Sequence, residues 1–139
     1  MNIAKNGDMY VIRFASGDEV MSSLTQVVRT KRIRGGFFYG LGVAQDVVLA
    51  DFDSHQKDYR KKLCEGEYEF ASLVGNISIL NTKPVIHCHA TITDCDFRAY
   101  GGHLFQAVIP VTCEIILLPL SKPLRRILHR TSGLHLLNV

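Results

Sequence analysis

No apolar run in this chain approaches the length needed to cross a bilayer. The longest, such as Ile115 to Leu118, fall far short of the ~18–20 residues a spanning helix requires. The opening residues, Met1 to Asp8, lack the apolar stretch and cleavage pattern of a secretory leader. Cys64, Cys88, Cys95 and Cys113 form no C-x-x-C pair, and without a leader they are expected to be reduced rather than bridged. There is no internal repeat and no low-complexity tract. These absences exclude a membrane protein, a secreted disulfide scaffold, a coiled coil and a collagen, and the expected location is cytoplasmic.

Acidic residues are missing from one region only. Residues 121–139 carry Lys122, Arg125, Arg126 and Arg130 and no acid, while residues 1–120 hold 12 basic and 13 acidic side chains. The net charge of +3 therefore comes from the tail, and a strongly basic nucleic-acid-binding body is not present. What is there is a chain of 139 residues, 47% hydrophobic, which is one domain with enough apolar mass for a real core.

The hydrophobic periodicity predicts strand, one helix, then many strands. Met9 to Phe14 reads as a first strand. Ser16 lies three residues before Glu19, a capping-box spacing, and Val20, Met21, Leu24, Val27 and Val28 follow at helical intervals. The helix runs into the basic residues Arg29 to Arg34, which suit the negative end of its dipole as a solvated terminus. Strands are expected at Phe37 to Tyr39, Val43 to Phe52, Tyr68 to Leu80, Val85 to Thr93, His103 to Val108 and Thr112 to Leu118. Gly40-x-Gly42 precedes no helix, so it is a bend and not a nucleotide loop; a bulge is expected at Gly75-Asn76. The fold class is α+β: a compact single domain with a curled, mostly antiparallel sheet and one main amphipathic helix.

Three of the six histidines, His87, His89 and His103, fall in one short window. Spaced two apart on a strand, His87 and His89 point to the same face, and Cys88 between them points to the other. A hairpin turn centred on Cys95 sets His103 opposite His87 and Gly101 opposite His89, bringing a third imidazole to the cluster. Three neutral imidazoles suit zinc or another divalent transition metal, with a fourth position left for water or a ligand oxygen. A His-x-His pair also arises by chance on strands, and a one-residue slip would separate the third ring; spacing alone leaves both readings open. His55, His129 and His135 read as surface residues. Glu69 and Glu114 each sit in an apolar segment, where a carboxylate needs a partner and is a candidate proton carrier for such a site. An edge-strand glutamate facing solvent is the alternative for each.

Gly17-Asp18-Glu19, Gly40-Leu41-Gly42, Tyr68-Glu69-Phe70, Gly75-Asn76-Ile77-Ser78, Pro84-x-x-His87-x-His89 and Gly101-Gly102-His103-Leu104 occur in this order. In these pieces the chain resembles the plant and prokaryote conserved (PPC) domain family, in its stand-alone prokaryotic form. The resemblance runs from about Met9 to Leu118, which gives a domain over 1–120; residues 121–139 read from their own charge and apolar spacing as a basic amphipathic tail. It implies a homotrimer with zinc on His87, His89 and His103, and a fold similar to that of acetolactate decarboxylase, a three-histidine zinc enzyme. It also brings a DNA-binding label, which stems from plant relatives carrying separate AT-hook segments. This chain has no Arg-Gly-Arg-Pro hook core, Arg32-Ile33-Arg34-Gly35 being only a shadow of one. The first expectation is a metal site that binds or transforms a small molecule, with the reaction class left open. The other is a DNA-binding or protein-interaction module without catalytic activity.

Overall fold

A computed structural model describes the whole chain, Met1–Val139. Its elements are β1 (Asn2–Asn6), β2 (Met9–Ala15), α1 (Val20–Thr30), β3 (Gly36–Asp53), β4 (Asp58–Leu80), β5 (Lys83–Thr93), β6 (Ala99–Val108), β7 (Thr112–Pro119), β8 (Arg125–Leu128) and β9 (His135–Asn138). It is a small α+β domain, almost all antiparallel sheet with one short helix. That helix is too short and polar to cross a membrane.

Strand alternation builds the core. In β2, Ile12 and Phe14 are sealed while Val11 and Arg13 face out, the period-two pattern of a half-buried sheet. After β2, Gly17 takes a positive φ of 88° and its N–H donates to the Ile109 carbonyl at 2.8 Å. This turn delays the helix, so Glu19 is the N-cap itself rather than the third residue of a box begun by Ser16. Its carboxylate accepts from the N–H groups of Met21 at 3.0 Å and Ser22 at 2.7 Å. Val20, Leu24, Val27 and Val28 then pack into the core, against β5 and β6. The basic residues after the helix are exposed, apart from the buried Ile33 between them.

The nine strands are ordered β1-β2-β7-β3-β6-β5-β4-β8-β9, with β3 also paired to β4. The long β3 makes this closure possible. Its first part, Gly36 to Gly42, lies between β7 and β4; its later part lies between β6 and β4. Register shifts at Gly40/Gly42 and Gln45/Val47 mark the bend between them, as irregularities at a barrel corner do. β3, β4, β5 and β6 thus close on themselves, and β7, β2 and β1 extend the sheet from one side.

The strands differ from the sequence reading in several places. β4 begins at Asp58, ten residues before the expected Tyr68; its charged first half, with little apolar alternation, is recruited by pairing with Val47 to Asp53 of β3. Gly75 is not a bulge, because Val74, Gly75 and Asn76 pair regularly with His89, Cys88 and His87. The β4–β5 irregularity lies at Phe70/Ser72 instead. Glycine is needed at 75 for another reason: a Cβ there would lie 2.4 Å from the Phe38 ring and 2.3 Å from the His87 carbonyl oxygen. The tail folds as a hairpin, β8 with β9, tied to β4 by a parallel pairing of Ile79 with Arg125.

Candidate metal centre

In β5, Cys88, Ala90 and Ile92 point into the core, so His87 and His89 point outward. β5 meets β6 through a loop whose corner is Asp94. Its carboxylate accepts from the N–H groups of Asp96 and Arg98, and from the Arg98 and Tyr100 side chains. The loop centres one residue later than Cys95, since Thr93 pairs with Ala99. Register therefore shifts by two: His103 lies opposite His89, not His87, and Gly101 lies opposite Thr91. A shift of two preserves the face, and His103 still joins the other two rings. Gly102 permits this placement, since a Cβ there would meet the Ala50 carbonyl oxygen of β3 at 2.7 Å.

The ring centroids are 5.1 Å apart for His87–His89, 5.1 Å for His87–His103 and 5.5 Å for His89–His103. One nitrogen from each ring lies within 4.8 Å of the others. Tetrahedral zinc needs nitrogens roughly 3.3–3.4 Å apart at Zn–N bonds of about 2.0–2.1 Å, a separation small ring rotations reach. His103 Nδ1 is buried and has no hydrogen-bond partner among the protein atoms, an omission a metal ligand explains. Burial, then His87, His89 and Arg126, hold the His103 imidazole down to a pKa of about 4. His87 is lowered by burial, His89 and Arg126. Neutral imidazoles are the form that binds a metal. The residues fit a divalent transition metal, zinc among them. Cys88 adds no ligand: its thiol faces the core and burial pushes its pKa up to about 12.

Around His103 the structure adds groups that spacing did not reveal. The rings of Tyr59 of β4 and Phe105 of β6 lie tilted against it, each 5.0 Å away between centroids, and the two meet each other edge to face at 5.3 Å. Lys61 Nζ lies over the Phe105 ring, 4.0 Å from its centroid. On the other flank is Arg126 of β8, which donates to Ser78 Oγ at 2.7 Å, to Asn76 Oδ1 at 3.0 Å and to the His135 carbonyl at 2.7 Å. Asn76 is the register partner of His87, so the guanidinium sits one strand from the cluster. Burial lowers the Arg126 pKa, opposed by Tyr59.

Glu69 and Glu114 are not part of this constellation. Glu69 is exposed at the middle of β4, paired with Thr93 and Val43. Glu114 is exposed on β7, paired with Arg13 and Leu41. His55, His129 and His135 are exposed and apart from the cluster. The cysteines are all free, Cys95 exposed and the other three buried.

Residues 1–121 match the model of the Plants and Prokaryotes Conserved (PCC) domain. No curated protein matches the chain. Among solved structures, a Bacteroides thetaiotaomicron protein described as a proposed DNA-binding protein superposes with a TM-score of 0.95 at 26% identity, covering 99% of this chain and 96% of that one. A Ralstonia eutropha protein with the same description gives 0.92 at 28% identity, covering 99% and 95%. A protein from Archaeoglobus fulgidus described as metal-containing gives 0.87 at 28% identity, covering 99% and 96%.

Proposed function

The chain belongs to the Plants and Prokaryotes Conserved domain family, and from that premise we propose that it is a cytoplasmic homotrimer whose His87, His89 and His103 hold zinc, or another divalent transition metal, in an open site that binds or transforms a small molecule. The observation that carries this is the convergence of three imidazoles with a buried, unpartnered His103 Nδ1. The Archaeoglobus relative described as metal-containing agrees with it. When bound, such a metal supplies Lewis acidity toward an oxygen at its open position. Burial within the chain favours the neutral form of His87 and His103. Tyr59 and Phe105 wall the site beside His103.

Self-association is supported by an exposed apolar strip on the outward side of the sheet. Val11, Ile116 and Tyr39 form one cross-strand row, and Leu118 and Phe37 form the next; each is 37–49% exposed. Rows of large apolar side chains left open to water mark contact surfaces. Tyr39 pairs with Val74, Val74 with His89, and His89 with His103, so the strip and the histidines share one side of the sheet. Trimer is the stoichiometry the family resemblance implies. The roles of Glu69 and Glu114 as proton carriers then belong to the assembled state: within one chain neither reaches the imidazoles, and a neighbour docked on the strip would have to bring one of them in.

Protein purified without a nickel column is expected to contain about one zinc per chain and to sediment as a trimer. His87→Ala should lose the zinc and remain folded. Metal-free wild-type protein that cannot be loaded with zinc would overturn the reading.

A second reading, a DNA-binding or protein-interaction module, is favoured by the descriptions of the Bacteroides and Ralstonia relatives and by the exposed Lys122, Arg125 and Arg130 of the tail. Phosphate contacts must weaken steeply with salt. DNA retention at low salt that disappears when these three become alanine would support it; no retention by the wild-type protein would end it.

A further inference from the structure

We infer that the three-histidine site takes a small carboxylate anion, gripped at its acid end by Arg126; this rests on the metal reading above and names the ligand class. Arg126 comes from β8, outside the residues matched to the family. The chain delivers it deliberately: the Ile79 N–H donates to the Leu124 carbonyl at 2.8 Å, and the parallel Ile79–Arg125 pairing lays β8 along the end of β4. The side chain crosses the outward side of β4 and covers Ser78, which is completely buried.

The partners of this guanidinium are a hydroxyl, an amide oxygen and a backbone carbonyl, all neutral. None of the ion pairs in the protein includes it. A half-buried cation without a counter-ion therefore stands beside imidazoles arranged for a dication. Such a concentration of positive charge, partly withdrawn from water, calls for an anion. Three of the five N–H donors of Arg126 are used; one remains on Nη1 and one on Nη2. A guanidinium with donors to spare on both terminal nitrogens suits the oxygens of a carboxylate. Because Asn76 and His87 are direct cross-strand partners, with Cβ atoms about 4.5–5.5 Å apart, a short ligand spans the distance. One end meets Arg126 and an oxygen at the other end faces the histidines.

The test uses full-length trimeric protein loaded with zinc, with malonate as probe, malonamide as its neutral counterpart and inorganic phosphate for comparison, all measured by calorimetry. Wild type is expected to bind malonate and not malonamide. Arg126→Gln should weaken malonate about tenfold or more, the loss of a charge-assisted pair, with zinc content unchanged. Asn76→Asp provides a variant that keeps the tail docked: its carboxylate neutralises the guanidinium, and malonate should weaken by a similar factor. Equal malonate affinity in wild type and both variants at full zinc content would overturn the inference and leave the metal reading standing. Malonamide binding as well as malonate would also overturn it. Phosphate binding more tightly than malonate, and only when Arg126 is present, would replace the carboxylate assignment with a phosphate. A wild-type chain that takes up no zinc would fail the metal reading and the inference together, and zinc content reports that outcome separately.

Discussion

Along β5 and β6 two sets of side chains occupy opposite environments. Cys88, Ala90, Ile92, Leu104 and Ala107 point inward and are at most 3% exposed. His87, His89 and His103 point outward from the same strands and are half-buried or exposed. The inner set is apolar, satisfied by contact alone, and fixes where the strands lie. The outer set gains little from packing, and one of its nitrogens has no protein partner at all. The inner residues specify a position in space; the outer ones are chosen for what they can bind once that position is fixed.

The comparison breaks most readily on the inner side. Leu104 is fully buried next to His103, and Leu104→Ala is expected to cost about 2–5 kcal/mol, read by urea unfolding, with zinc uptake falling as a consequence. A loss well below that range would mean the inner side does not hold the site in place.

Acid sharpens the comparison with a smaller effect. A histidine in the unfolded chain titrates near 6.5, whereas in the fold His103 does so at about 4. Between those values the unfolded chain binds more protons than the native one, so the stability of the metal-free protein should fall as pH drops through this window. His87, shifted in the same direction, adds to it. Above the window the contribution is fully present, and below it is lost. Stability curves measured across that range should flatten in His103→Ala; an equally steep decline in that variant would place the titration elsewhere.

The smallest effect is expected at His89, the exposed member of the trio. His89→Ala should change the stability of metal-free protein by no more than about 0.5 kcal/mol while abolishing zinc uptake. A large destabilisation without metal would show that the outer set has a structural duty.

Much of this division was legible in the residues. Alternation alone placed His87 and His89 on one side and Cys88 on the other, because strand geometry admits no second arrangement. The third histidine joins the cluster in either register, because the hairpin pairs it with His89 rather than His87, a difference of two that keeps the face. The Asp94 corner, which sets the loop, depends on side-chain hydrogen bonds from Asp96, Arg98 and Tyr100 that no pattern of apolar residues reports. Tyr59 could not be read because its approach to His103 runs through β3, with Phe52 opposite Tyr59 and Ala50 opposite His103. Arg126 was visible only as one of four tail cations, since its position depends on where β8 docks. For Glu69 and Glu114 the apolar neighbours leave both a partnered and a solvent-facing carboxylate open; both are exposed, on the outward phase of their strands.

The docking of β8 has an evolutionary corollary. The barrel and its three imidazoles lie within residues 1–121, while the cation that borders them arrives from the strand that follows. Relatives could exchange that terminal hairpin, or the single residue at its second position, and acquire a taste for a different ligand without disturbing a hydrophobic contact inside the barrel. A common vessel with interchangeable lips would let one architecture serve many small molecules.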